Sequence, residues 1–168
     1  ANTHGAFITS SETDVVMDHA RETMAAFLGA ESAGQVSFGA NMTTLNFALS
    51  HALVRKMSPG DEIVITELDH EANRGPWLNL RERGIIVKEV RMTAGGTLDR
   101  DDLAAKISER TRVVAMGMAS NALGTVSLEE IALARSLSRK VGAWLVLDAV
   151  HYAPHFPLDV QALECDFL

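Results

Sequence analysis

The sequence holds a single cysteine, Cys165, in 168 residues, so no internal disulfide can form and covalent cross-linking plays no part in its stability. Its apolar runs fall far short of the roughly 20 residues that a membrane-spanning helix needs. No run of Lys and Arg exceeds two residues, and the formal net charge is -7 with a pI near 5.3. Such a surface repels phosphate backbones, which argues against nucleic acid as a partner. No Gly-x-Gly-x-x-Gly follows any apolar run, which disfavours a dinucleotide site.

What is present suits one globular domain with a real core: 47% of residues are hydrophobic and 22% charged. The opening "ANTHGAFITSSE" has no initiator methionine, basic stretch or apolar signal core. It reads as a cytoplasmic chain, and as a piece of a longer one.

Ser10 or Ser11 is placed to cap a helix carrying Val16, Ala20, Met24 and Phe27 at helical spacing, with Gly29 to end it. A short strand "QVSF" follows, then a helix from near Met42 with Leu45, Leu49 and Leu53 turned inward, then a turn at Ser58 to Asp61. From there four apolar runs, "EIVIT" (62–66), "IIVKEV" (85–90), "RVVAMGM" (112–118) and "WLVLD" (144–148), alternate with helical segments. Asp99 is expected to cap the helix holding Leu103 and Ile107, and Ser127 to Glu130 forms a capping-box pattern for a helix ending before Gly142. This alternation predicts an α/β fold, a three-layer sandwich with a largely parallel sheet whose strands are covered on both faces.

In such sheets ligands bind beyond the carboxyl ends of the strands. "QVSF" leads into Gly39 to Thr44, small and polar, where free amides at a helix start can hold a phosphate. "EIVIT" leads to Asp69, His70 and Glu71; "RVVAMGM" to Asn121 and Gly124; and "WLVL" to Asp148, with His151 close behind. Each has an ordinary alternative: a capped turn, a surface histidine among acids, turn chemistry at Asn121. Asp148 is the hardest to dismiss, because a carboxylate closing a buried strand needs a positive or donating partner. A ring nitrogen that must stay protonated would supply one, as in pyridoxal phosphate.

The stretches "GDEIVITELDHEANRGPW", "GGTLDRDDLAAKISERTRVVAM", "SNALGTV", "VLDAVHYAPHFPLDVQAL" and "CDF" resemble, in order and spacing, the large domain of the class V aminotransferase and cysteine desulfurase family, pyridoxal-phosphate enzymes of fold type I. The resemblance covers nearly the whole chain and implies that residues 1–168 are part of the cofactor-binding large domain. It implies that Met42 and Thr43 belong to the phosphate-binding turn and that His70, the candidate catalytic residue, stacks on the cofactor ring. Asn121 would then lie near the phenolic oxygen and Asp148 would pair with the pyridine nitrogen. His151 stands where typical cysteine desulfurases have a glutamine that donates to the phenolic oxygen; a neutral imidazole can donate there too. The family implies an amino-acid substrate, a homodimer and, for a desulfurase, a sulfur-acceptor protein.

The lysine that forms the Schiff base lies in the family beyond the strand that "CDF" begins. Lys56, Lys88, Lys106 and Lys140 are not in that context, so this chain is expected to be inactive alone and to expose apolar surface that drives self-association. Cys165 reads as structural rather than as the sulfur-accepting thiol. A pyridoxal-phosphate lyase, epimerase or transaminase remains open, as do a metal site built from His70, Asp148, His151 and His155 and a non-catalytic role.

Overall fold

The computed structural model describes residues 2–168. It divides into two compact units, Ala1–Phe38 with Pro157–Leu163, and Gly39–Phe156 with Glu164–Leu168.

The first unit is built on helix α1, Ile8–Leu28, which ends at Gly29 in the left-handed conformation at φ 70. The helix starts earlier than the expected caps: Phe7 is the N-cap without a side-chain bond, and Ser10 and Ser11 lie inside. A 3-10 turn follows at Ala33–Gln35. The short helix α6, Val160–Leu163, opens on Asp159, whose carboxylate accepts the N–H groups of Gln161 and Ala162. Gln161 Nε2 donates to the Gly29 carbonyl at 2.9 Å.

"QVSF" forms no strand. Gln35 closes the 3-10 turn, Val36 after it is extended, and residues 36–38 join no ladder among the described residues. Alternating apolar residues favour extended backbone, but a strand also needs a partner for its N–H and C=O groups.

The second unit contains a four-stranded parallel sheet in the order β2-β1-β3-β4, from β1 (Glu62–Thr66), β2 (Ile86–Val90), β3 (Thr111–Gly117) and β4 (Trp144–Asp148). Every residue of β1 is buried, as its near-continuous apolar run requires when helices cover both faces. On one face α2 (Met42–Leu53) and α3 (Glu71–Leu78), with the 3-10 turns that follow them, supply Leu53, Val54, Trp77 and Leu80 against Ile63, Ile65, Val113, Ala115 and Val146. The alternate residues Val64, Val114, Met116 and Leu147 face the other way, where α4 (Arg100–Lys106) and α5 (Leu128–Val141) pack on each other and on the sheet. Phe167 bridges to Val146, so "CDF" begins to add to the β4 edge.

Within α2 the expected inward face is shifted. Leu45 is exposed, while Asn46, Ser50 and Leu53 are buried. Pro76, inside α3, explains part of this. It has no N–H for the carbonyl of Ala72, and Asn46 Nδ2 donates to that carbonyl at 3.3 Å and to Asn73 Oδ1 at 3.1 Å. A buried asparagine thus replaces the helical bond that proline removes and ties the first turns of α2 and α3 together.

Asp99 caps α4 as expected, accepting Asp102 N–H. Ile107 is the C-cap rather than a helical residue. The capping box at α5 does not form. Ser127 makes no side-chain cap, its N–H goes to the Met118 carbonyl, and Glu130 pairs with Arg100 instead of reaching back. Gly142, at φ 71, ends α5. No helix among the described residues is long and apolar enough to cross a membrane.

Candidate functional site

The strand order places a switch point between β1 and β3. From β1 the chain moves to one side to form β2, then crosses back to the other side for β3 and β4. In open α/β sheets ligands bind at such a switch point, beyond the carboxyl ends of the strands. His70 follows β1, Asn121 follows β3, and Asp148 ends β4, so three of the sequence-predicted residues lie on adjacent strand ends.

His70 is the N-cap of α3. Its Nδ1 accepts the Ala72 N–H at 3.0 Å, a task usually given to Ser, Thr, Asp or Asn. This bond fixes the ring orientation and, in the neutral imidazole, puts the proton on Nε2. His70 is exposed.

Asp148 is half-buried. Its Oδ1 accepts the Val150 N–H at 2.9 Å, and no cationic side chain among the described residues pairs with it. By contrast, Glu62 at the opposite end of β1 is fully buried and held by Lys88, Ser108 and Arg110. Glu62 is thus fully compensated by cations of this chain, whereas Asp148 has none among the described residues. A half-buried carboxylate of this kind suits a pyridinium in charge and in donor chemistry.

Met42 and Thr43 form the first turn of α2. Asn41 caps that turn by accepting Thr44 N–H at 2.9 Å, which leaves the N–H groups of Met42 and Thr43 with no acceptor among the described residues. No carboxylate lies in this turn, so the helix start is suited to an anion. The Asn46 bonds to Ala72 and Asn73 bring it alongside the start of α3, just past His70.

Asn121 sits exposed in a closed turn. Ser120 N–H donates to the Thr125 carbonyl and Gly124 N–H to the Ser120 carbonyl. His151 lies in the turn after β4, with its ring edge-on to His155 at a centroid distance of 5.6 Å. The metal alternative does not assemble: His70, Asp148, His151 and His155 are not gathered into a group able to hold an ion among the described residues.

Asp69 is the residue that sequence reasoning passed over, taking it only as an acidic neighbour of His70. Its carboxylate accepts Gly117 N–H at the end of β3 and Thr66 N–H at the end of β1, the latter at 3.1 Å. Burial pushes its pKa up to about 7 against those two donors, and the charge of Asp148 adds to the rise. The available signal was its place between a buried strand and a capping histidine.

The lysines are committed elsewhere or lie at helix ends. Lys88 bonds Glu62 at 2.6 Å, and Lys106 bonds Asp102 at 2.6 Å. Cys165 is half-buried, and burial pushes its thiol up to about 11, far from a reactive thiolate.

The family model of class-V aminotransferases matches residues 1–168. A cysteine desulfurase of Pectobacterium atrosepticum is 33% identical over 165 residues, which cover 97% of this chain and 40% of that protein. A probable cysteine desulfurase of Streptomyces coelicolor is 35% identical over 175 residues, covering 100% of this chain and 41% of the relative. In solved structures, a cysteine desulfurase of Escherichia coli superposes with a TM-score of 0.84 at 28% identity, over 99% of this chain and 42% of that one. The apo cysteine desulfurase of Thermococcus onnurineus gives 0.89 at 27% identity, with the same coverage. The chain therefore spans about 40% of the length of the curated relatives it matches. A parallel sheet with polar groups at its switch point, matched from end to end by one family model, makes this chain a member of the class-V aminotransferase family.

Proposed function

We propose that this chain is part of the large, cofactor-binding domain of a pyridoxal-phosphate enzyme of the cysteine desulfurase type. The complete protein acts on an amino acid, in the leading reading cysteine, leaving alanine and passing sulfur to an enzyme thiol. The observation that carries this reading is Asp148, a half-buried carboxylate closing β4 with no cationic partner among the described residues.

Asp148 would hold the pyridine nitrogen, and the free amides of Met42 and Thr43 with the Thr43 hydroxyl would hold the phosphate. His70 would lie on the ring face, while Asn121 and His151 would donate to the phenolic oxygen. When bound, the cofactor supplies an electron sink for charge developing at the substrate α-carbon. His70 keeps its Nδ1 on the Ala72 amide, so Nε2 is the atom at which this side chain can hold or hand over a proton. Asp148, held by Val150 N–H, stays oriented to keep a positive charge beside it. Cys165, with its raised pKa, is not the sulfur-accepting thiol. That thiol and the Schiff-base lysine lie, in the family, beyond the strand that "CDF" begins; the complete protein is a homodimer that hands sulfur to an acceptor protein in a reducing cytoplasm.

His151 favours a second reading: with an imidazole in place of the desulfurase glutamine, the substrate is another amino acid and the reaction an elimination, epimerisation or transamination.

The test is titration of the complete protein with pyridoxal phosphate, followed by incubation with cysteine. Saturable cofactor absorbance is the expected result, with alanine formed from cysteine and, when a dithiol reductant is present to reduce the enzyme persulfide, an equal amount of sulfide. Absorbance without alanine from cysteine transfers the assignment to the second reading, and absence of saturable absorbance overturns both.

A further inference from the structure

We propose that Asp69 is a positioning residue of this site: its carboxylate ties the end of β1 to the end of β3 and so sets His70 and Asp148 relative to each other. The proposal rests on the cofactor reading above and concerns a residue that does not touch the cofactor.

Four observations carry it. An aspartate that merely stabilised its own turn would be satisfied locally, as the Thr66 N–H bond could do; Asp69 also accepts Gly117 N–H across 48 positions of sequence. Gly117 is the ladder partner of Asp148, and the next residue, Met118, donates its N–H to the Asp148 carbonyl at 2.9 Å. The strand end that Asp69 holds is therefore the one that fixes Asp148. On its other side Asp69 is joined directly to His70, whose ring caps α3. Lastly, a side chain at Gly117 would put Cβ 2.9 Å from Asp69 Oδ1, so the close approach depends on glycine at that position.

The two bonds straddle the switch point, where no direct ladder joins the strand ends: the register of β1 with β3 runs from Glu62 to Val64 only, leaving Ile65 and Thr66 without a partner in β3. Asp69 supplies the connection that the ladder lacks. Asparagine in its place keeps one acceptor but turns an amide N–H toward a backbone N–H, so half of the tie becomes repulsive.

The experiment compares wild type, Asp69→Asn and Gly117→Ala in the complete protein titrated with pyridoxal phosphate. It reads the dissociation constant, the absorbance band and the circular dichroism that the site induces in that band, with far-ultraviolet dichroism to follow folding. Gly117→Ala retains the carboxylate and its charge and displaces only its position, so it carries the test where Asp69→Asn folds poorly. The expected result is a dissociation constant raised about tenfold or more, with weakened induced dichroism, in variants that remain folded. Wild-type affinity and dichroism in both variants would overturn the assignment while leaving the cofactor reading intact. Weaker binding with an unchanged band and dichroism would also overturn it, because only global loosening would then be at work. Failure of wild type to bind would overturn the cofactor reading and this assignment together.

Discussion

Arg110 donates from both Nε and Nη2 to one oxygen of Glu62, at 3.2 and 2.9 Å, and so closes the amino end of β1 over a fully buried carboxylate. Burial by itself would raise the pKa of Glu62. The hydrogen bonds from Lys88, Ser108 and Arg110 outweigh it and hold the group below its ordinary 4.5. Asp148, at the carboxyl end of β4, has no such cationic partner among the described residues and accepts only the Val150 N–H.

Removing the charge of Glu62 leaves Lys88 and Arg110 facing a neutral buried group. Glu62→Gln is expected to cost roughly 3 kcal/mol, measured by urea unfolding. The stability that Glu62 contributes is present above 4.5 and is lost as pH falls through its lower folded value, so the wild-type and variant curves should converge in acid.

Asp69 carries the opposite sign. Its unfolded carboxyl ionises near 3.8 and its folded one near 7, so its contribution to stability declines as pH rises between those values and levels off above them. Asp69→Asn should remove that decline. Unfolding midpoints measured across the interval, wild type against variant, check the sign.

At His70 the observed cap of α3 and the proposed stacking on the cofactor ring are separable. His70→Ala should lose the cap on α3, at about 1 kcal/mol, together with ring stacking. His70→Asn restores a capping side chain without an aromatic face, so thermal stability should return while cofactor affinity stays weak. Recovery of affinity by asparagine would remove the stacking role.

Asn46 compensates for Pro76. Asn46→Ala should destabilise by about 1–2 kcal/mol through the unsatisfied Ala72 carbonyl. In a Pro76→Ala background the restored N–H can serve that carbonyl, and the cost should shrink. A double-mutant cycle on unfolding free energies measures the coupling.

Cys165 should react about 100-fold more slowly with a thiol-alkylating reagent in the folded protein than in urea near neutral pH, because its pKa rises from 9.0 to about 11. Mass spectrometry of timed aliquots gives both rates.

The amino-acid sequence by itself determined the alternation of apolar runs and capped helices, and hence a parallel sheet with polar groups at its strand ends. Hydrophobic period, Gly29, Gly142 and Asp99 are local signals, and the elements they mark stand close to where they were expected. The placing of His70, Asn121 and Asp148 at the carboxyl ends of adjacent strands was legible for the same reason: polar residues at the end of a buried apolar run, or in the turn after it, contrast with their surroundings. Tertiary structure decided the rest. "QVSF" had strand character but no partner, and Ser127 had capping chemistry but an N–H already given to Met118. Asn46 was invisible as an inward residue, because the carbonyl it satisfies is freed by a proline 30 positions away in another helix. Asp69 was misread because its bond to Gly117 exists only when β1 and β3 lie side by side. A hydrogen bond is worth forming only where its partner has been carried out of water to meet it, and the strand order that brings these two groups together is a property of the folded chain.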